Sequence, residues 1–589
     1  MKQASIPRPE YPRPQFVREH WLNLNGPWQF EIDHGCSGIQ RGLYKDDVQL
    51  AQTITVPFAP ESSLSGIGYT DFMNAVWYRR TFEIPGDWDG DRVLLHFGAV
   101  DYKAEVWVNE QRVGTHRGGY TSFSFDITAQ LKAGANTVSV YAEDHLRTGL
   151  QPAGKQSSLY HSHACLYTRT TGIWQTVWLE RVPQTYIASI KLYPDPDNAA
   201  LHLEANIAGS TAGLQLKCES SYKGAATGSS TVQLGAMVAK TTIALSDVHL
   251  WQPGAPELYD LQLQLVRKAD GAIVDAAVSY FGLRSIQLDG MAFRINGKSV
   301  FQRLVLDQGF YPDGIYTAPT DEALKQDIEI SLGLGFNGAR LHEKIFEPRF
   351  LYWADQLGYL VWGEHANWGL NVSKSEALEQ FLPEWIEGVE RDFNHPSLIG
   401  WCPFNETWDD ERTGARQNNE VLRTVYEATK AIDPTRPVID TSGNYHVVTD
   451  IFDVHDYDQN PETFKARYES LRTGEGEINV SFPARQQYEG QPYFVSEYGG
   501  IWWNPGQSDE KGWGYGGTDS RPKSEAEFIA RYEGLTNALL EHPKMFGFCY
   551  TQLYDVEQEV NGLYTYDRKP KFDPAILHAI NSKKAAIED

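Results

Sequence analysis

Two glutamates, each at the end of a short apolar run, carry the strongest chemical signal in the chain. "SLIGWCPF" is uncharged and reads as a strand covered on both faces, yet it runs directly into Asn405 and Glu406. "PYFVS" ends in the same way, at Glu497. A carboxylate at the mouth of a buried strand is costly to desolvate unless its charge is put to use. Two such groups about 5–5.5 Å apart suit glycoside hydrolysis with retained configuration. One stays protonated to give its proton to the leaving oxygen; the other stays ionised to attack the anomeric carbon.

Polar groups recur at the ends of other strand-like runs: Asp307; Arg340 and His342; Glu364 and His365; His455, Asp456 and Tyr457; Tyr550 and Gln552. A lone His or Asp in such a place is more often a satisfied structural residue. Their recurrence points instead to one shared face. The runs are "SVFQRLVLD", "FNGARLH", "YLVWGEH", "LIGWCPFNE", "PVIDTSG", "IFDVHDY", "YFVSEYG" and "MFGFCYTQ". Amphipathic stretches at 321–333, 346–357, 375–393, 418–432 and 524–542 separate most of them. Eight strands alternating with helices over 286–589 predict a (β/α)8 TIM barrel, whose active site lies at the C-terminal strand ends.

Upstream the pattern is all-β, with short alternating runs between Gly, Asp and Asn turns. Residues 1–185 read as a jelly-roll β-sandwich of sugar-binding type, with "VNEQRVG" as a tight hairpin. Residues 186–285, with about seven strands, have the size of an immunoglobulin-like β-sandwich.

A net charge of −25 lacks the clustered cations that nucleic acid or an anionic membrane requires. No apolar stretch of spanning length occurs, and "MKQASIPRPEYPRPQF" has no signal-peptide core, so a cytoplasmic protein is expected, or a secreted or periplasmic one if a leader preceded it. Five scattered cysteines suggest neither a disulfide framework nor a zinc site, and in "HEKIFE" Phe346 stands where a second zinc-binding His belongs. The chemistry therefore needs no cofactor. A glycoside or oligosaccharide is the expected partner, and a homo-oligomer stays open. The sequons at Asn371, Asn405 and Asn479 carry little weight without a leader.

"WYRRTFEIP", "VWVNEQRVGTHRGGYTSFSFDIT", "GIWQTVWLE", "LWQPGAPELYDLQLQL", "FGLR", "FNGARLH", "HPSLIGWCPFNE" and "VSEYG" together resemble glycoside hydrolase family 2, the family of β-galactosidases, β-glucuronidases and β-mannosidases. The resemblance runs from about residue 15 to 575. It implies that Glu406 is the general acid/base, Glu497 the nucleophile, and Asn405 a partner of the sugar hydroxyl next to the reacting carbon. Arg340 would hold the nucleophile ionised and Tyr457 would donate to it. Asp307, His342, Glu364, His455, Trp503 and Tyr550 complete the expected substrate-binding set, with Trp503 of "EYGGIWWNPG" covering the terminal sugar. Family 2 β-glucuronidases carry an Asn-x-Lys motif for the sugar carboxylate; here Asn561 stands in place of the Lys. "FQRLVLDQGFYPDGIYT" also departs from the usual first-strand segment. The expected activity is thus an exo-acting β-galactosidase or α-L-arabinosidase. Another family 2 specificity (β-mannosidase, β-glucuronidase or a furanosidase) and a non-catalytic carbohydrate-binding protein are the alternatives.

Overall fold

The computed structural model describes residues 6–409, 414–507 and 512–588; the start of the N-terminal segment, residues 1–5, lies outside them. The first unit packs a four-stranded sheet on a six-stranded one. Its core is built from alternate residues such as Trp28, Phe30, Tyr78, Val106, Val140 and Leu179. The expected hairpin joins Lys103–Val108 to Gln111–Arg117. Asn109 and Glu110 at its tip have φ of 48° and 66°, the left-handed pair that matches strand twist in a tight turn. The second unit packs a three-stranded sheet on a four-stranded one. Along Tyr259–Arg267, Tyr259, Leu261, Leu263 and Leu265 face inward while Asp260 and Gln262 face water, the period of two that the sequence displays.

A small three-stranded meander follows (Ile286–Asp289, Ala292–Ile295, Lys298–Ser299), which the sequence reading had merged into the barrel. Phe293 and Ile295 cap the barrel floor against Leu304, Phe494 and Phe546. The barrel strands are β1 (Gln302–Asp307), β2 (Gly338–Leu341), β3 (Leu360–Glu364), β4 (Leu398–Cys402), β5 (Thr441–Ser442), β6 (Phe452–Asp456), β7 (Tyr493–Gly499) and β8 (Met545–Thr551). Seven form one parallel sheet in the order β4-β3-β2-β1-β8-β7-β6. β5 pairs instead with Phe404–Asn405, the continuation of β4. All the strand runs and the five helical stretches read from the sequence are present, the helices as Asp321–Gly333, Pro348–Leu357, Ala377–Asp392, Asn419–Ile432 and Glu525–Leu540. Thr320 caps the first and Ser524 the last, each side chain accepting from a backbone N–H three residues on.

β5 is only two residues long, and a buried charge cluster does what a longer ladder would do. The Asp440 carboxylate accepts from the backbone N–H groups of Thr441, Val447 and Val448 at 2.9, 2.6 and 3.0 Å. His446 lies between Asp440 and Asp453, its ring nitrogens 2.7 and 3.0 Å from their carboxylates, and so ties the β5 loop to β6. Burial disfavours the imidazolium, but the two carboxylates outweigh it and push the pKa up to about 10. An unfolded His titrates near 6.5, so this stabilisation is complete below that pH and is lost as pH rises through about 10. His446→Gln should lower unfolding free energy by about 3–5 kcal/mol, the cost of leaving a buried carboxylate unpaired. Denaturant titrations of both proteins at pH 6.5 and 9.5 check this: the wild type should lose stability over that range, and the gap between the two should narrow.

Candidate active site

Along β2 the guanidinium of Arg340 points into the barrel and is fully buried. Its Nε donates to Glu364 at the end of β3 at 2.7 Å, and its Nη2 to Asn405 Oδ1 beyond β4 at 3.1 Å. Its Nη1 reaches across to β7, donating to the Ser496 carbonyl at 2.9 Å and to Glu497 Oε1 at 3.1 Å. Burial opposes the charge, but Glu364 and Glu497 raise the pKa well above its ordinary value, so the cation is permanent. Tyr457 donates to the other oxygen of Glu497. The Tyr457 ring stacks on Tyr515 with centroids 3.4 Å apart.

Glu406 emerges after the continuation of β4 with φ of 47°, a left-handed conformation that costs energy for a residue with a Cβ. Its backbone N–H is held by the Ser442 carbonyl at 3.0 Å. His455 Nδ1 lies 2.6 Å from Glu406 Oε1 and 3.4 Å from Glu497 Oε2. One oxygen from each glutamate and this nitrogen lie within 4.8 Å of one another. The spacing of these residues in the sequence offers no metal-ligand pattern, yet the fold assembles three groups that could share an ion. The imidazole is also placed by the protein alone: Nε2 lies 2.9 Å from Ser442 Oγ, which donates to Asp453 at 2.6 Å. Gly443, at φ 70°, leaves room for the ring; a Cβ there would sit 2.3 Å from it.

The Asn405 amide is oriented from both sides. Its carbonyl oxygen takes the Arg340 bond, and its backbone is clasped by Asn367, at 2.6 Å to N–H and 2.9 Å to C=O. That leaves the Asn405 NH₂ as a donor toward the cleft. His342 leans on Glu364 at 3.1 Å; burial, then the nearby Lys155 cation, holds its pKa well below the usual histidine value, so it is neutral.

Other expected residues have different surroundings. Glu364 has its carboxylate taken up by Arg340, His342 and the Glu343 N–H, and so supports the arginine from behind. Asp307 accepts from the Gly309 N–H at 2.9 Å and the Tyr554 hydroxyl at 2.5 Å; burial, then Asp327, pushes its pKa up to about 6. Tyr550 is a correction. It packs between Tyr498 and Tyr532 in the layer behind β8, while its neighbour Thr551 touches the Tyr457 hydroxyl at 3.1 Å. Strand alternation sends adjacent side chains to opposite faces, so an error of one residue reverses the direction. Trp503 is buried like Asn405 and Glu497, with its ring toward Phe528 and its indole N–H without a hydrogen bond among the described residues.

Several residues of the cleft were missed. Lys155, from the jelly-roll unit, enters beside Trp368, its Nζ 3.8 Å from the ring centre. Glu343 is buried, with one oxygen accepting from the Trp368 N–H at 3.1 Å and the other without a hydrogen bond. Glu559 accepts from Tyr167 and, at 2.9 Å, from Asn561; burial pushes its pKa up to about 7. Asn561 is fully buried, its carbonyl taking a 2.8 Å bond from Gln552. Glu559 lies in a stretch, "EVNGLYTYDRKPK", where attention to Asn561 alone hid it; nothing in the local pattern around Lys155 marks it. Against Glu406 opens a cavity of about 330 Å³, lined from both units by Leu146, Leu166, Trp368, Leu370 and Trp408.

Residues 22–183 match the family description "Glycosyl hydrolases family 2, sugar binding domain", 185–284 "Glycosyl hydrolases family 2", and 288–581 "Glycosyl hydrolases family 2, TIM barrel domain". A putative β-glucuronidase of Formosa agariphila is 25% identical over 90% of this chain and 46% of its own length. A β-glucuronidase of Paenibacillus borealis is 24% identical (73% of this chain, 74% of that protein). A β-galactosidase of Thermoanaerobacter pseudethanolicus is 27% identical (67% and 52%). The chain thus spans about half the length of two of these three relatives. In fold it is similar to the crystal structure of Ruminococcus gnavus β-glucuronidase, with a TM-score of 0.79 and 17% identity over 98% of this chain and 99% of that one.

His455 sets the charge of Glu406. Burial alone would raise the Glu406 pKa, but the His455 hydrogen bond and charge outweigh it and bring it below the ordinary value. The His455 pKa is raised, burial being outweighed by Glu497 and Glu406. In the resting site the proton therefore sits on His455, 2.6 Å from Glu406. His455→Asn should raise the Glu406 pKa, and a carboxyl-carbon NMR titration of both proteins measures the shift. A Glu406 midpoint that does not move would sink the coupling.

Proposed function

The chain belongs to glycoside hydrolase family 2, and from that premise we propose a retaining exo-glycosidase that removes one neutral sugar, a β-galactoside or α-L-arabinoside, from a non-reducing end. The observation that carries retention is the approach of one Glu406 oxygen to one Glu497 oxygen within 4.8 Å, close to the spacing of a double displacement and shorter than one leaving room for a water. Glu406 takes the proton from His455 Nδ1 and gives it to the glycosidic oxygen as that bond breaks. Glu497, hydrogen-bonded by Arg340 and Tyr457, bonds to the anomeric carbon as the glycosidic oxygen leaves. Glu406, now ionised, removes a proton from the water that frees the sugar. The Asn405 amide donates to the hydroxyl beside the reacting carbon, and the cavity against Glu406 takes the leaving group.

A neutral sugar is supported by the charges around the cleft. Asn561, tied between Glu559 and Gln552, brings no cation, so a uronate would lack the lysine that the Asn-x-Lys motif supplies. The second reading, a β-glucuronide, draws on the names of the relatives and on the Lys155 ammonium. A panel of aryl β-galactoside, α-L-arabinoside, β-mannoside and β-glucuronide separates the two.

Glu497→Gln should abolish turnover with the fold intact. Glu406→Gln should cost about 10²–10⁴-fold, least for aryl leaving groups that need little protonation. Proton NMR of the first-released sugar should show the retained anomer. Wild-type rates in both variants, or the inverted anomer appearing first, would remove the assignment.

A further inference from the structure

The jelly-roll unit sends the segment 151–171 across to the mouth of the barrel, where both of its arms are bonded. The Ala153 and Gly154 N–H groups donate to the Trp368 carbonyl at 2.8 and 3.1 Å. Gly154, at φ 58°, lies so close to the barrel that a Cβ would sit 2.4 Å from the Glu343 carbonyl oxygen, which only glycine permits. On the returning arm the Thr168 N–H donates to Glu557 at 3.1 Å, and Gln558 Nε2 to the Ala164 and Leu166 carbonyls at 2.7 and 3.1 Å. Between these anchors the Lys155 carbonyl accepts from the Tyr167 N–H at 2.7 Å, so its backbone is fixed from both directions.

Such rigidity is unusual for lysine, whose ammonium normally stays in water at the end of a flexible stem. Here the residue is 4% exposed, and among the described residues its ammonium donates no hydrogen bond; Trp368 covers it at 3.8 Å. Burial opposes its charge, but Cys165, then Glu559, Glu343 and Glu497 favour it and raise its pKa. Three N–H donors are therefore held in the cleft beside acceptors, with nothing bonded to them. Burial pushes the Glu559 pKa up to about 7 and that of Glu343 well above its ordinary value, so both carboxyls can exchange hydrogen bonds with neutral groups. A sugar hydroxyl suits the space between them and the ammonium, because it accepts from Nζ while bonding to a carboxyl oxygen.

We propose that Lys155 is a specificity-determining residue which, with Glu559 and Glu343, brackets a diol of the terminal neutral sugar. This rests on the neutral-sugar reading above and goes beyond it by placing part of sugar selection in the N-terminal unit. Removing a charged hydrogen bond should cost about 10- to 100-fold in kcat/KM. Lys155→Met should show that loss on the aryl glycoside the wild type prefers, with an unchanged thermal midpoint. Among monodeoxy versions of that glycoside, the one lacking the bracketed hydroxyl should be slow with the wild type and no slower with Lys155→Met, because the two changes remove one contact. Should Lys155→Met lower the midpoint, Lys155→Gln, which still offers a donor, should keep the fold and lose less. Equal activity of wild type and Lys155→Met on a neutral glycoside would overturn the proposal and leave the neutral-sugar reading standing. A wild type that cleaves only the β-glucuronide, with that activity lost in Lys155→Met, would overturn both and assign the ammonium to a carboxylate.

Discussion

One guanidinium organises the barrel mouth. Arg340 joins β2 to Glu364 after β3, Asn405 after β4 and Glu497 on β7, with water excluded from every bond. A buried cation is tolerated only when its donors are matched and its charge is balanced, and this one meets both conditions through groups that perform other tasks. The orientation of Asn405 and the placing of Glu364 and Glu497 all follow from that one side chain. Glu364 is needed because without it the cation would draw more heavily on Glu497.

His455 adds a second layer of control. It holds a proton within reach of Glu406 while the chain Ser442–Asp453–His446–Asp440 holds the imidazole. The same buried charges that secure the short β5 thus set the position of the proton between His455 and Glu406. Stability and chemistry share these atoms, so a substitution at Asp453 would disturb both.

Much of this was legible in the sequence, for identifiable reasons. Strand and helix periods are local, so all the barrel strands and the main helices could be read directly. Glu406 and Glu497 stood out because charge at the end of an apolar run contradicts its surroundings. Tyr550 was misplaced because the direction of a side chain depends on strand register, which composition does not encode. Lys155 was invisible for a different reason. Its partners Trp368 and Glu559 are far away in sequence, and only contact between two units gives it meaning.

The seam between those units has a consequence for how the protein is made. The segment 151–171 leaves the ribosome long before Trp368 and the 557–559 turn that hold it. During synthesis the N-terminal sandwich therefore carries an unpaired loop, with its lysine in water, while the barrel forms behind it. Closure of that seam waits on residues 557–559, which follow the loop by 389 to 394 positions, so the mouth of the barrel is fitted to a sandwich made long before it.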